Sequence, residues 1–309
     1  ERVAGYMVGI DVGGTFTDFV SYDPQTKAVE VRKNPSTPKD PNDGILTGLS
    51  KFENPGDIKN IRLGTTVATN AILERKGATV GYVTTNGFKD IPFIQRGNRR
   101  SHYDITWIKP KPLVKRRHCY EISERVMANG EVEIPLDEPG VRAMAKQIKE
   151  DGEIEALSVN FLFSYVSPDH ERRVKEILAQ ELPDIPVSIS YEVLPKWKEY
   201  ERASTTIADA YIKPIVSKQV RNIRQRFVEN GITDHIVVIK SNGGEMSLEA
   251  AENTPIQMTV SGPTGGVIAG KHIAKLVGID HLVTIDMGGT STDTSTIVGG
   301  QENFTTDFE

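Results

Sequence analysis

This chain has a single cysteine in 309 residues, Cys119. That excludes an internal disulfide and a cysteine-rich metal site, suits a reducing compartment, and leaves the thiol a packing role. The six histidines show no metal-ligand spacing, so none is assigned a zinc role. No run of about 18 apolar residues is present, and no membrane span is expected. The opening ERVAGYMVGI lacks the charged start, apolar stretch and cleavage site of a secretory leader, so the expected location is cytoplasmic. Basic and acidic side chains number 37 and 42, for a net charge of −5, which argues against a nucleic-acid binder. Low-complexity tracts are absent.

What is present is alternation. Strand-like runs (YMVGIDV, TVGYVTT, ALSVNFLF, PVSIS, HIVVIK, HLVTIDM) alternate with helix-like ones (DGILTGLSKF, TVATNAILERKG, PGVRAMAKQIKEDG, PDHERRVKEILAQEL, a long stretch from about Lys198 to Asn230, and TGGVIAGKHIAKLVG). This rhythm predicts a layered α/β protein, long enough for two domains. Gly77, Gly231 and Gly278 follow candidate helices, where a left-handed residue can close them. Pro214 is expected to break or kink the long helix near Lys213. From Arg96 to His118, eight Lys and Arg face one acid, Asp104. This segment is expected to be an irregular basic excursion, either a surface loop or subunit contact or a site for an anionic substrate.

One repeat stands out. IDVGGTFTD (Ile10 to Asp18) returns as IDMGGTSTD (Ile285 to Asp293), identical at seven of nine positions. Each copy places an aspartate at a strand end, then two glycines and two threonines. Glycines let backbone N–H groups approach a phosphate without an intervening Cβ. Threonine hydroxyls add donors, and a strand-end carboxylate suits a hydrated Mg2+. One copy alone fits an ordinary hairpin turn equally well. Two copies fit a clamp in which Asp11 and Asp286 flank one metal.

The set GIDVGGTFTDFV, GTTVATNAILERKGA, ERASTTIADAYIKP, SGPTGGVIAG and DMGGTSTD, in this order and spacing, resembles the hydantoinase/oxoprolinase A-subunit family. That family includes subunits of ATP-dependent N-methylhydantoinases, 5-oxoprolinases and lactamases, with related subunits in acetone and acetophenone carboxylases. The resemblance runs from about Val8 to Asp293. It implies an α/β fold of actin-like (ribonuclease-H-like) ATPase lobes, with the second lobe truncated at the C-terminus, in the actin, hexokinase and Hsp70 superfamily. The implied division is 1–190, an N-terminal lobe with the first phosphate loop, and 191–309, the start of a second lobe with the second loop. Two departures stand out: Leu63 replaces a histidine that often precedes the GTT element, and relatives are commonly about twice as long. A fragment of a longer protein is therefore expected.

The resemblance further implies ATP and Mg2+ as cofactors, a small cyclic amide or ketone substrate, and a hydantoinase B-type partner subunit in a hetero-oligomer. Asp11 and Asp286 would hold the metal. Gly13, Gly14, Thr15, Thr17, Gly288, Gly289 and Thr290 would hold phosphate oxygens. Asp18 and Asp293 would orient the hairpins from behind. Thr65, Thr66 and Asn70 lie at a candidate helix start, where they either cap the helix or meet substrate or phosphoryl group. Gly265 and Gly266 serve either ligand contact or close packing. In SNGGEM a simple turn or a cleft-rim loop is open, and Glu199 and Glu201 are solvated acids or a general base. Three functions follow: phosphorylation of a carbonyl or enol oxygen that drives cyclic-amide hydrolysis, a ketone carboxylase subunit, or a nucleotide-gated regulatory module.

Overall fold

The computed structural model describes residues 5–37, 40–52, 55–97, 103–259, 261–287 and 292–302. Of the expected site residues, Gly288, Gly289 and Thr290 lie outside that set, as do Arg99 and Arg100 of the basic segment. In chain order the elements open with β1 (Tyr6–Val12), β2 (Phe16–Tyr22), β3 (Val29–Pro35), α1 (Pro41–Leu49), β4 (Ile58–Thr65) and α2 (Val67–Leu73). Then come β5 (Val80–Thr85), α3 (Ile91–Ile94), β6 (Val114–Ile122), β7 (Arg125–Val126), β8 (Val132–Ile134), α4 (Glu138–Asp151) and β9 (Ala156–Asn160). Next are α5 (Asp169–Glu181), β10 (Val187–Ile189), α6 (Ser190–Val193), α7 (Glu199–Glu229), β11 (Ile236–Ile239), β12 (Glu245–Ser247) and α8 (Leu248–Asn253). The last are α9 (Ser261–Val277), β13 (Leu282–Met287), β14 (Thr292–Val298) and β15 (Gln301–Glu302).

The chain forms two compact units, each discontinuous in sequence. Unit one comprises Glu1–Asn70, Ser217–Glu252 and Gln257–Glu309, and unit two Ala71–Val216 and Asn253–Ile256.

Unit one carries a six-stranded mixed sheet in the order β12-β11-β4-β1-β2-β3. The first three strands form an antiparallel meander, and β4 and then β11 add in parallel. In β1, Val8, Ile10 and Val12 are buried on one face, as period-2 alternation requires. Their cross-strand partner Phe19 shares that face. Its ring sits where a Cβ on Gly48 of α1 would fall, 2.1 Å from Cζ, so α1 lies flat on the meander. Asp40 caps α1 by accepting from the Asn42 N–H (3.0 Å), and Pro41 occupies the first turn. A three-stranded sheet, β13-β14-β15, packs beside α9.

Unit two carries a four-stranded sheet in the order β10-β9-β5-β6, all parallel. Helices α4 and α5 cover it through a core of Val83, Val141, Ile148, Leu157, Val174 and Ile177. All-buried patterns in β5 and β9 are those of parallel strands covered on both faces.

Several expectations change. Pro214 does not end α7, which spans 31 residues with the proline inside. Its neighbours Tyr211, Ile212 and Val216 are buried, and tertiary packing outweighs one missing hydrogen bond. Gly231 and Gly278 are left-handed at φ 66° and 72°. Gly77 instead makes room for the Tyr211 ring, 2.1 Å from an added Cβ. The basic excursion ends in order, since Val114 to His118 belong to β6. Three of its described cations find acidic partners: Arg116 pairs with Asp90, Arg96 with Glu201, and Arg117 donates to Glu153 at 2.6 Å. Ser261 already begins α9, and the 3-10 turn Pro255–Met258 lies ahead of it. No helix among the described residues is long and apolar enough to cross a membrane.

Candidate functional site

The strands that flank the turn pair in the same antiparallel register in both copies of the repeat. Asp11 on β1 lies opposite Asp18 on β2, and Asp286 on β13 opposite Asp293 on β14. All four aspartates line one cleft of about 720 Å3 within unit one. Gly64, Arg62, Ser261, Gly265, Gly266 and Thr284 line it too.

The turn of the first hairpin is built tightly. The Gly13 N–H donates to the Phe16 carbonyl at 3.0 Å, and a Cβ on Gly13 would sit 3.1 Å from that oxygen. The Ser36 hydroxyl donates to the Gly13 carbonyl (2.7 Å) and shares a hydrogen bond with Thr17 Oγ1 (3.0 Å). The Ser36 N–H donates to the Thr15 carbonyl at 2.8 Å. Thr17 is thus buried as a strut, while Gly14 and Thr15 are exposed.

Electrostatics single out Asp11. Its carboxylate opens to the cleft yet has protein on most sides, so desolvation raises its pKa above the usual carboxylate range; Asp18 and then Asp286 add repulsion. Gly64 is its register partner on β4. A Cβ at 64 would come within 3.1 Å of Asp11 Oδ1, so the glycine leaves the carboxylate its position.

Thr65, Thr66 and Asn70 do not line this cleft. Buried Thr65 accepts from the Val67 N–H at 3.4 Å, which is a capping contact. The Thr66 hydroxyl donates to the Val12 carbonyl (3.2 Å), and Asn70 Nδ2 donates to Thr66 Oγ1 (3.2 Å). The three tie α2 to the end of β1. Gly265 and Gly266 do line the cleft, and an added Cβ at either meets nothing within 4 Å. SNGGEM is the turn of the β11–β12 hairpin, with Gly243 left-handed.

Sequence reasoning missed Arg62, whose guanidinium reaches the cleft while bound to Glu245 at 2.6 Å. The signal was its position two residues before Gly64 on an alternating strand. It also missed the buried polar groups of unit two. Arg202, fully buried, donates to Asn160 Oδ1 (3.2 Å), the Lys196 carbonyl (2.7 Å) and the Phe161 carbonyl (3.0 Å). Buried Glu171 accepts from the Phe161 and Tyr191 N–H groups and the Ser190 hydroxyl. Burial pushes the Cys119 thiol up to about 12, an inert group.

The family model described as the hydantoinase/oxoprolinase N-terminal region matches residues 7–182, and the one described as hydantoinase/oxoprolinase matches 202–309. The chain belongs to the hydantoinase/oxoprolinase family. It is 38% identical to an uncharacterized protein of Methanocaldococcus jannaschii, over 99% of this chain and 46% of that protein. It is 34% identical to the caprolactamase alpha subunit of Pseudomonas jessenii, over 98% of this chain and 45% of that subunit. A solved nucleotide-free acetone carboxylase superposes with a TM-score of 0.85 at 29% identity, over 96% of this chain and 44% of that one. The crystal structure of the ATP-dependent caprolactamase superposes with a TM-score of 0.83. The α/β fold is therefore that of the hydantoinase/oxoprolinase proteins, and this chain spans about half the length of the curated relatives it matches.

The donor set of the cleft fits the metal the family implies. It is oxygen-only and rich in carboxylates, and Asp11 is held among like charges that a cation would relieve. Among the described residues no three His, Cys, Asp or Glu side chains form a metal-holding cluster.

Proposed function

We propose that the twin hairpins grip the phosphate chain of Mg-ATP and that the longer protein uses it to activate a carbonyl oxygen of a cyclic amide. The observation that carries this reading is the equivalent placement of Asp11 and Asp286 on one cleft. In this reading both aspartates hold the Mg2+. Backbone N–H groups at Gly14 and Thr15 orient phosphate oxygens from one side, and Gly288, Gly289 and Thr290 do so from the other. Asp18 and Asp293 fix the hairpins, and Arg62 adds positive charge along the cleft wall. Amide carbonyls resist water because nitrogen donates into them, and a phosphoryl group on the oxygen makes that oxygen a leaving group. Positioning and charge neutralisation are what the protein must supply for such a transfer.

The relatives support both the amide and the ketone branch, since one is an ATP-dependent caprolactamase and another performs ATP-dependent acetone carboxylation. A B-type partner subunit completes either reaction in this reading. Full-length protein with its partner is to be assayed for ATP consumption with a lactam, a hydantoin and 5-oxoproline, and separately with acetone or acetophenone plus bicarbonate. Stimulation by a cyclic amide, lost by roughly 100-fold in Asp11→Asn and in Asp286→Asn, is the expected result. Stimulation by ketone alone moves the chain to the carboxylase branch. Turnover stimulated only by a protein partner makes it a nucleotide-gated module, and a wild-type rate in Asp11→Asn overturns the metal assignment.

A further inference from the structure

The cleft of unit one is poor in positive charge. Among the described residues that line it, Arg62 is the one cation, against the four carboxylates of Asp11, Asp18, Asp286 and Asp293. Asp18 has a cation from outside that lining, Lys33 at 3.3 Å. Simple attraction would turn Arg62 towards the other carboxylates, yet among the described residues no ion pair joins it to them. Its Nε instead donates to Glu245 Oε1 at 2.6 Å, and its Nη1 to Asn60 Oδ1 at 3.2 Å.

The sheet explains the direction of that arm. Arg62 on β4 is the register partner of Gly9 on β1 and of Val237 on β11. Beyond β11 stands β12, where Glu245 is the partner of Ile239. With the strands in the order β12-β11-β4-β1, a guanidinium bound to Glu245 leans over β11, away from the strand that carries Asp11. The SNGGEM turn holds Glu245 in place. Gly243 is left-handed at φ 81°, the Lys240 N–H donates to the Gly244 carbonyl at 2.8 Å, and the Thr264 hydroxyl of α9 donates to the Ser241 carbonyl at 2.8 Å. The pair is nonetheless exchangeable. The Arg62 and Glu245 side chains are 38% and 43% exposed, and an ion pair so open to water is weak. A guanidinium–phosphate contact is charge-assisted and can be bidentate, which makes phosphate the stronger partner.

On the reading that the cleft takes Mg-ATP, we propose that Arg62 binds its phosphate chain and that Glu245 is the counter-ion Arg62 gives up for a phosphate oxygen. Glu245 is then a positioning residue that acts through Arg62. It keeps the one cation of the cleft lining from pairing with Asp11 or Asp286, which leaves those carboxylates to a metal. It also sets the attraction that an arriving phosphate must overcome, so its removal strengthens nucleotide binding where removal of Arg62 weakens it.

The test is calorimetric titration of the full-length protein with Mg-ATP at low and high salt, in Arg62→Gln, Glu245→Gln, the double variant and Asp11→Asn. Arg62→Gln is expected to bind about 10- to 100-fold more weakly, with a shallower dependence on salt. Glu245→Gln is expected to bind about 2- to 5-fold more tightly, because the competing carboxylate is gone. That gain is a result no unfolded or loosened variant produces. In the double variant the gain disappears, and the affinity matches that of Arg62→Gln. Weaker binding in Glu245→Gln makes the pair a structural tie between β4 and β12 and overturns the proposal. Unchanged affinity in either single variant, with binding still lost in Asp11→Asn, overturns it while the metal assignment stands. Failure of the unsubstituted protein to bind Mg-ATP removes the reading of the cleft and the role of Arg62 together.

Discussion

Gly64 of β4 faces Asp11 of β1 across the sheet so closely that a Cβ at 64 would stand 3.1 Å from Asp11 Oδ1. Gly64→Val is therefore expected to displace the carboxylate and lower ATP consumption by the full-length protein by roughly 100-fold, with Gly64→Ala between it and wild type. Melting temperatures alongside the rates check that the loss is local. A wild-type rate in Gly64→Val removes the positioning role.

Asp11 itself couples function to stability. Its pKa is raised in the folded protein from 3.8, first by desolvation and then by Asp18 and Asp286. The folded state holds this proton more tightly than the unfolded chain does. The stabilising contribution is complete below 3.8 and is lost as pH rises through the raised value. At neutral pH the charged group is a liability, so Asp11→Asn is expected to melt higher than wild type while losing Mg-dependent nucleotide binding. The difference in melting temperature should vanish in acid, and thermal scans from pH 3 to pH 8 measure it.

Arg202 is buried with three acceptors around its guanidinium and the Tyr165 ring 5.2 Å from its Cζ. Desolvation lowers its pKa while Glu171 opposes that shift. Arg202→Met removes these three hydrogen bonds from the interior and is expected to cost about 3 kcal/mol in urea unfolding. Arg202→Lys recovers only part, because an ammonium cannot span the three directions.

Gly48 reverses a rule of helix propensity. Alanine in a helix interior normally gains about 1 kcal/mol over glycine. Here the Phe19 ring occupies the Cβ position, so Gly48→Ala is expected to destabilise by about 1–3 kcal/mol. Chemical denaturation gives the sign directly.

Much of the architecture was legible because it depends on local pattern. The strands around Asp11 and Asp286, a helix over DGILTGLSKF and the long helix from about Lys198 follow from periodicity, whereas the Asp40 cap and the start of α1 at Pro41 were not read. The matching strand register of the two copies was legible because nearly identical residues at identical spacing pair alike. Contacts distant in sequence were not. Nothing near Gly77 announces Tyr211, and nothing near Pro214 shows the buried neighbours that keep its helix whole. On the cleft, Asp11 and Asp286 could be read from the motif, but Arg62 and Gly64 reach it only because β4 pairs with β1. Thr65 and Thr66 carried two readings, and the hydrogen bonds to Val67 N–H and the Val12 carbonyl could not be read from sequence.

The discontinuity of the two units bears on synthesis. Unit two is nearly one stretch, Ala71–Val216, needing only Asn253–Ile256 from later in the chain. Unit one begins first yet needs Ser217–Glu252 to add β11 beside β4. On the ribosome the first meander therefore emerges early and waits, its β4 edge open, while more than a hundred residues pass. The order of completion is the reverse of the order of translation, and the waiting edge is the interval in which a chaperone has most to protect.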